Sequence, residues 1–193
     1  MPGFKDILKK AAEAAQKGLA KIQEAAEFER LMSDFDEVVA SVATDVLVEK
    51  GYRPIGQREV ERRYLVELAI ENGDLVKPVI DRDMLRRYSP KDRQKILNVI
   101  PDRVLLYVTF TRKHQPAATL LRVPEREDVT VYAELTYFVE KKGFFGPKRE
   151  ERKVRLGQFS FRSSDFVDYE AKTINTEALK AYLEKRLKGL GLF

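Results

Sequence analysis

The sequence predicts an α+β fold: helices packed on a curved antiparallel sheet with a long β-hairpin, preceded by a long N-terminal amphipathic helix. Three observations predict it. Residues 129–162 read as two strands around a tip, Lys141-Lys142-Gly143-Phe144-Phe145-Gly146-Pro147-Lys148-Arg149, with Val129, Val131, Ala133, Leu135, Tyr137 and Val139 on one face. Residues 3–31 carry Phe4, Leu8, Ala11, Ala15, Gly18, Ile22 and Ala25 at alternating steps of four and three, a heptad-like seam. Strand patterns follow one another without regular helical alternation, so a parallel βαβ sheet is not expected.

The first segment is rich in Ala and Gly along its seam, which would let a partner helix approach closely. Ile7, Ala12, Leu19 and Ala26 widen the seam, and Lys5, Lys9, Lys10, Lys17 and Lys21 flank it. Such a helix must cover its apolar side with the body, a copy of itself, a partner or a lipid surface. The interspersed acids Asp6, Glu13 and Glu24 argue against strong lipid affinity. Residues 1–32 are read as an association segment and 33–193 as a single α+β domain.

A second helix is expected from Asp34 to Lys50. Ser33 and Asp36 have capping-box spacing, Phe35, Val38, Val39, Val42, Val46 and Leu47 form the buried stripe, and Gly51 stops it. Residues 51–57 read as a connector. Val60, Tyr64, Val66, Leu68 and Ile70 predict one strand over 58–71. Asn72-Gly73-Asp74 signals a tight turn into a return strand from Leu75 to Ile80, placed at an edge by Pro78. One or two helical turns fit Asp81 to Tyr88, and Ser89-Pro90 opens a short helix ending near Pro101. Val104, Leu106, Val108 and Phe110 share a strand face, with Leu105 and Tyr107 opposite, as in a central strand. Residues 112–117 turn and Thr119 to Val123 return. In the second arm of the long hairpin the apolar phase slips between Leu156 and Phe159, which predicts a bulge near Gly157-Gln158. A helix over Thr176–Lys188 with Leu179, Tyr182, Leu183 and Leu187 inward closes the chain, followed by an apolar tail of Leu190, Leu192 and Phe193.

This order of elements resembles the NTF2-like, cone-shaped α+β arrangement. The resemblance is one of fold order, carried by no shared motif. It implies a scaffold that serves both enzymes with a cavity and binding modules.

Composition bounds the function classes. The 193 residues suffice for a substantial core, and 44% apolar with 35% charged residues is a globular balance. There is no cysteine and one histidine, so no disulfide, thiolate or multi-histidine metal site is available. Abundant Lys, Arg and Glu without Cys or Trp gives a thermophile-like composition. No apolar run spans a bilayer, and Lys5, Asp6, Lys9 and Lys10 interrupt any signal-peptide core, so a cytoplasmic location is expected. Most of the net charge of +5 lies at the hairpin head, where residues 141–153 hold six cations against Glu150 and Glu151.

The candidate sites follow from that asymmetry. Phe144 and Phe145 sit between glycines, framed by Lys141, Lys142, Lys148 and Arg149. Aromatics in such a frame fit a pocket on a partner protein, stack on nucleic-acid bases or enter a lipid interface, unless the tip folds back into the core. A second basic group, Arg82, Arg86, Arg87, Lys91, Arg93 and Lys95, is diluted by Asp81, Asp83 and Asp92 and reads as a solvated face. Phosphate binding is its alternative. Arg58, Arg62 and Arg63 alternate with Glu59 and Glu61 as local charge pairing, with Arg62 on the apolar face of its strand. His114 lies in a turn without a Ser or Cys nucleophile in a matching context. Glu67 and Glu134 would act as bases only if they lined a cavity. Asp81 and Asp83 are too few to hold a cation, and Gly143-Phe144-Phe145-Gly146 is not a phosphate loop.

No catalytic residue, cofactor or metal ligand is assigned. The leading reading is a non-enzymatic binding or assembly protein. Its association helix uses Phe4, Leu8, Ala11, Ala15 and Ile22, and its hairpin tip docks to a protein partner. The alternatives are a nucleic-acid-binding protein acting through the basic hairpin head and the 82–95 face, peripheral membrane contact through residues 1–22, and an NTF2-like cavity enzyme. No small-molecule substrate is identified.

Overall fold

The computed structural model describes residues 3–113 and 126–193. The predicted return strand from Thr119 to Val123 and the turn bearing His114 lie outside the described residues. The chain runs α1 (Phe4–Glu49), β1 (Tyr52–Val60), β2 (Arg63–Ile70), α2 (Lys77–Arg87), α3 (Pro90–Arg93), β3 (Ile96–Lys113), β4 (Arg126–Gly143) and β5 (Gly146–Arg162). A small ribbon of β6 (Val167–Asp168) and β7 (Thr173–Ile174) follows, and α4 (Thr176–Gly189) ends the chain. The large sheet is an antiparallel meander in the order β1-β2-β3-β4-β5. The α+β class, the long N-terminal helix and the long hairpin are as the sequence predicts.

One face of the sheet holds the core. Val66, Leu68, Val104, Leu106, Val108, Val129, Val131, Ala133 and Leu135 are buried there under α1 and α4. Helix α4 contributes Leu179, Leu183 and Leu187, every fourth residue, after Asn175 caps its start by accepting the Ala178 amide. The apolar tail packs as well: Leu192 is fully buried, and its carbonyl accepts the Tyr52 hydroxyl.

Four expected boundaries are corrected. The predicted helices 3–31 and 34–50 are one helix of 46 residues. No Gly or Pro lies between Gly18 and Gly51, and Asp36 does not cap anything: it is buried within the helix. The strand predicted over 58–71 is two strands that turn at Glu61-Arg62, so the supposed connector is β1 and Arg62 sits in a turn rather than on an apolar face. Glu61 takes φ 56°, a left-handed conformation that its residue type does not advertise. The predicted return strand Leu75–Ile80 is instead a short turn and the first residues of α2, with Pro78 in its opening turn, where the missing N–H costs nothing. The Ser89 cap is present, accepting the Asp92 amide, but its helix stops at Arg93 and β3 begins at Ile96.

The predicted bulge is present one residue early. Ala133 pairs with Gly157 and Glu134 with Arg155, leaving Leu156 unmatched and Gly157 at φ 118°. The extra residue returns Phe159 and Phe161 to the same buried face as Val154.

Candidate functional site

Among the described residues, two of the exposed apolar groups are the ones singled out from the sequence. The first is the hairpin head. Gly143 pairs with Gly146 across a two-residue turn. A side chain at 143 would put its Cβ 2.5 Å from the Gly146 carbonyl oxygen, and Gly146 adopts φ 125°. This tight closure throws Phe144 and Phe145 outward, 97% and 99% exposed, with their rings edge to face at 5.1 Å. The tip does not fold back. It is a short overhang, because β3 accompanies β4 up to Lys141 and the Lys142 amide donates to the Lys95 carbonyl.

The basic frame is partly committed. Tyr88 anchors it: Lys141 lies over its ring at 4.2 Å, its hydroxyl donates to Glu150, and Arg152 donates to that hydroxyl at 2.7 Å. Glu150 also pairs with Lys141 and Arg152, and the Lys141 contact holds its carboxyl below the ordinary range. Lys153 pairs with Glu151, and Arg149 lies over Phe138 at 4.1 Å. Lys142 and Lys148 remain as exposed cations beside the phenylalanines, with no ion pair among the described residues. Two of the six cations of the 82–95 group are paired, Arg87 with the buried Asp83 at 2.9 Å and Lys95 with Asp92 at 3.8 Å. Asp83 in turn accepts the Tyr137 hydroxyl at 2.6 Å, which pins α2 to the sheet.

The second surface is the N-terminal part of α1. Phe4, Ile7, Leu8, Leu19 and Ile22 are all more than half exposed, and Ala11 and Ala15 are exposed between them. The helix is tied to the body where residues 27–29 meet it. Phe28 packs against Tyr169 with ring centroids 5.8 Å apart and tilted by 31°, Glu27 pairs with Lys172 and Glu29 with Arg112. From there about 25 residues, or roughly 38 Å of helix, extend N-terminally. Glu29 and Asp36 meet the 112/127 end of β3 and β4, whereas the tip lies at the far end of β4. The two surfaces therefore leave opposite ends of the sheet.

Beneath that exit lies a buried ionic cluster that sequence reasoning missed. The Arg112 side chain faces Asp36 at 3.8 Å and Glu127 at 3.6 Å, and all three side chains are at least nine-tenths buried. Burial, reinforced by Glu127, pushes Asp36 up to about 10. Burial raises Glu127 too, opposed by its contact with Asp36 and by Arg112. Burial thus favours the protonated acid within this pair, beside the Arg112 guanidinium.

The other face of the sheet is open. One row across all five strands reads Arg58, Leu65, Tyr107, Tyr132 and Gln158. Tyr107 and Tyr132 are stacked at 4.4 Å with an angle of 8°, and Arg155 covers the outer face of Tyr132 at 4.5 Å. A groove of about 740 Å³ begins beside Tyr107 and is lined by Leu65, Arg58, Arg63, Val60 and Thr109. Sequence reasoning placed Tyr107 opposite the core face but gave it no partner, because a cross-strand row depends on register. Glu67 and Glu134 lie on this open face. Glu67 is held by Arg103 at 3.1 Å, and neither lines the groove.

No family model, curated protein or solved structure matches the chain. No helix among the described residues is long and apolar enough to cross a membrane. No three of their His, Asp or Glu side chains gather as a metal site would need.

Proposed function

We propose that this is a non-enzymatic binding and assembly protein of the cytoplasm, which associates through the N-terminal helix and docks to a protein partner through the hairpin tip. The observation that carries the reading is the near-complete exposure of Phe144 and Phe145 on a turn whose glycines force them outward. Aromatic anchors of this kind supply most of the energy of protein interfaces.

The second support is the seam of Phe4, Leu8, Ala11, Ala15 and Ile22. Burying a large apolar side chain contributes about 1.5–3 kcal/mol, so a seam this long favours a partner helix, and a second copy is the simplest supply. A membrane is the weaker occupant, because a flat bilayer cannot take two surfaces that leave opposite ends of the sheet. Nucleic acid at the hairpin head is weaker too, since Glu150, Glu151 and Phe138 engage four of its cations.

Sedimentation of the full chain and of the Leu8→Lys/Ile22→Lys variant tests association. An oligomer reduced to monomer is the expected result; a wild-type monomer at all concentrations removes the association half. Docking is tested by a photo-crosslinking side chain at position 145 in the source cells. One discrete protein adduct, lost when Phe144 is changed to Ser, is expected, and its absence removes the docking half.

A further inference from the structure

We propose that the open face of the sheet binds single-stranded nucleic acid, with one base entering the groove against Tyr107 and backbone phosphates meeting Arg58 and Arg63. This site is separate from both surfaces invoked above and does not depend on them.

The geometry begins with the stack. Arg155, Tyr132 and Tyr107 form a continuous column of planar groups, at 4.5 and 4.4 Å. Its far end, Tyr107, is partly exposed and lines the groove, with Leu65 as its cross-strand neighbour in the same row. A planar ring entering the groove packs against the exposed part of Tyr107 and the Leu65 side chain. Leu65 and Val60 supply apolar walls, and Thr109 supplies a hydroxyl. Such a slot takes a base only when that base is unstacked, which selects a single strand over a duplex.

Charge selects the same ligand. Arg58 and Arg63 are exposed at the groove, and among the described residues neither has an ion-pair partner. The carboxylates nearby are Glu61, at the turn lining the groove, Glu67, already held by Arg103, and Glu134, close enough to Tyr107 to help raise its phenol. Guanidinium groups beside an aromatic platform are the combination that holds a strand: stacking is tolerant of sequence, and phosphate contacts fix the backbone. The face spans five strands with arginines on both sides of the tyrosine pair, so it can follow a strand rather than hold a lone nucleotide.

The test uses the full chain and fluorescein-labelled oligo-U and oligo-dT, read by anisotropy at low and at physiological salt. Binding that weakens steeply with salt is expected. Tyr107→Ala should weaken it about tenfold, while Tyr107→Phe keeps it. Arg58→Ala and Arg63→Ala should each lower the salt slope by about one. Both arginines are exposed, so these variants and Tyr107→Phe decide the matter even if Tyr107→Ala fails to fold. Absence of binding at low salt overturns the proposal. So does binding that survives these changes but is lost in Lys142→Ala/Lys148→Ala, which would place the strand at the hairpin head. Equal affinity for free UMP and for the oligomer overturns it as well, in favour of a small-nucleotide site. A change of oligomeric state in Arg58→Ala/Arg63→Ala without any nucleic-acid binding would assign the face to a second copy and overturn it.

Discussion

The two halves of α1 share one helical phase and have opposite fates. The seam of the N-terminal half, Phe4, Leu8, Ala11, Ala15, Gly18, Ile22 and Ala25, is continued at the same three-and-four spacing, across Glu29, by Met32, Asp36, Val39, Ala43 and Val46. The second set is buried under the sheet; the first is almost wholly exposed. Amphipathic periodicity thus fixes which side of a helix seeks cover and says nothing about who supplies it. The body half adds Phe35, Ala40 and Leu47 to broaden its stripe, as a helix does when it lies on a sheet. The arm half stays narrow and small, closer to the proportions of a helix–helix seam.

The sharpest way to separate the halves is a large-to-small change on each. Phe35 is fully buried, so Phe35→Ala should cost about 3–5 kcal/mol, read as a lower denaturation midpoint. The corresponding Phe4→Ala, at a position 77% exposed, should leave the unfolding of the monomer unchanged. A large loss from Phe4→Ala in dilute monomer would mean that the body covers the arm after all.

The boundary between the halves is set by charge, and the next effect lies there. Arg112→Ala leaves Glu127 without its buried cation and removes the Glu29 contact. A cost of about 3 kcal/mol is expected, at the low end for a broken buried pair because Glu29 is half exposed. Arg112→Lys should recover only part of it, since one ammonium cannot meet carboxylates on three sides as a planar fork does.

Most of the scaffold was legible because its signals are local. The Val129–Val139 alternation, the Ser89-Pro90 cap, the phase slip before Phe159 and the α4 stripe each depend on neighbours in sequence. The turn that carries Phe144 and Phe145 was legible for the same reason, since the flanking glycines set it by themselves, whereas the exposure of the two rings came from the structure. The break at Ser33 was a false local signal. Its capping spacing is real, but Asp36 is turned toward Arg112 and Glu127, which lie far along the chain. The Glu61-Arg62 turn carries no Gly, Pro or Asn to announce it. The Asp36–Arg112–Glu127 cluster and the Tyr107–Tyr132 stack depend on register between distant segments, and no periodicity within one segment encodes that.

A smaller effect comes from the proton held at that boundary. Asp36 is raised from its ordinary 3.8 to about 10, so between those values the folded chain keeps a proton that the unfolded chain releases. Stability from this group is therefore full below pH 4 and declines as pH rises toward 10. Glu150, held low by Lys141, works the other way at the acid end. Asp36→Asn mimics the protonated acid and can still donate toward Glu127. It should flatten the alkaline decline and leave the chain more stable than wild type at pH 9. Urea midpoints across pH 5–9 check this, and an unchanged slope would show that Asp36 is ionised in the folded state.

The smallest effect on the monomer is also the one that most directly tests what covers the arm. Leu8→Lys/Ile22→Lys changes two exposed side chains, so at high dilution its unfolding should match wild type within about 0.5 kcal/mol. At higher concentration the two should part. If copies pair along this seam, association stabilises the folded state by mass action, and the wild-type melting temperature climbs with protein concentration. The variant's melting temperature should stay flat. Parallel rises in both chains would move the contact away from the arm. Flat curves in both would leave the seam to a different protein, whose addition should then raise the melting temperature of wild type and not of the variant.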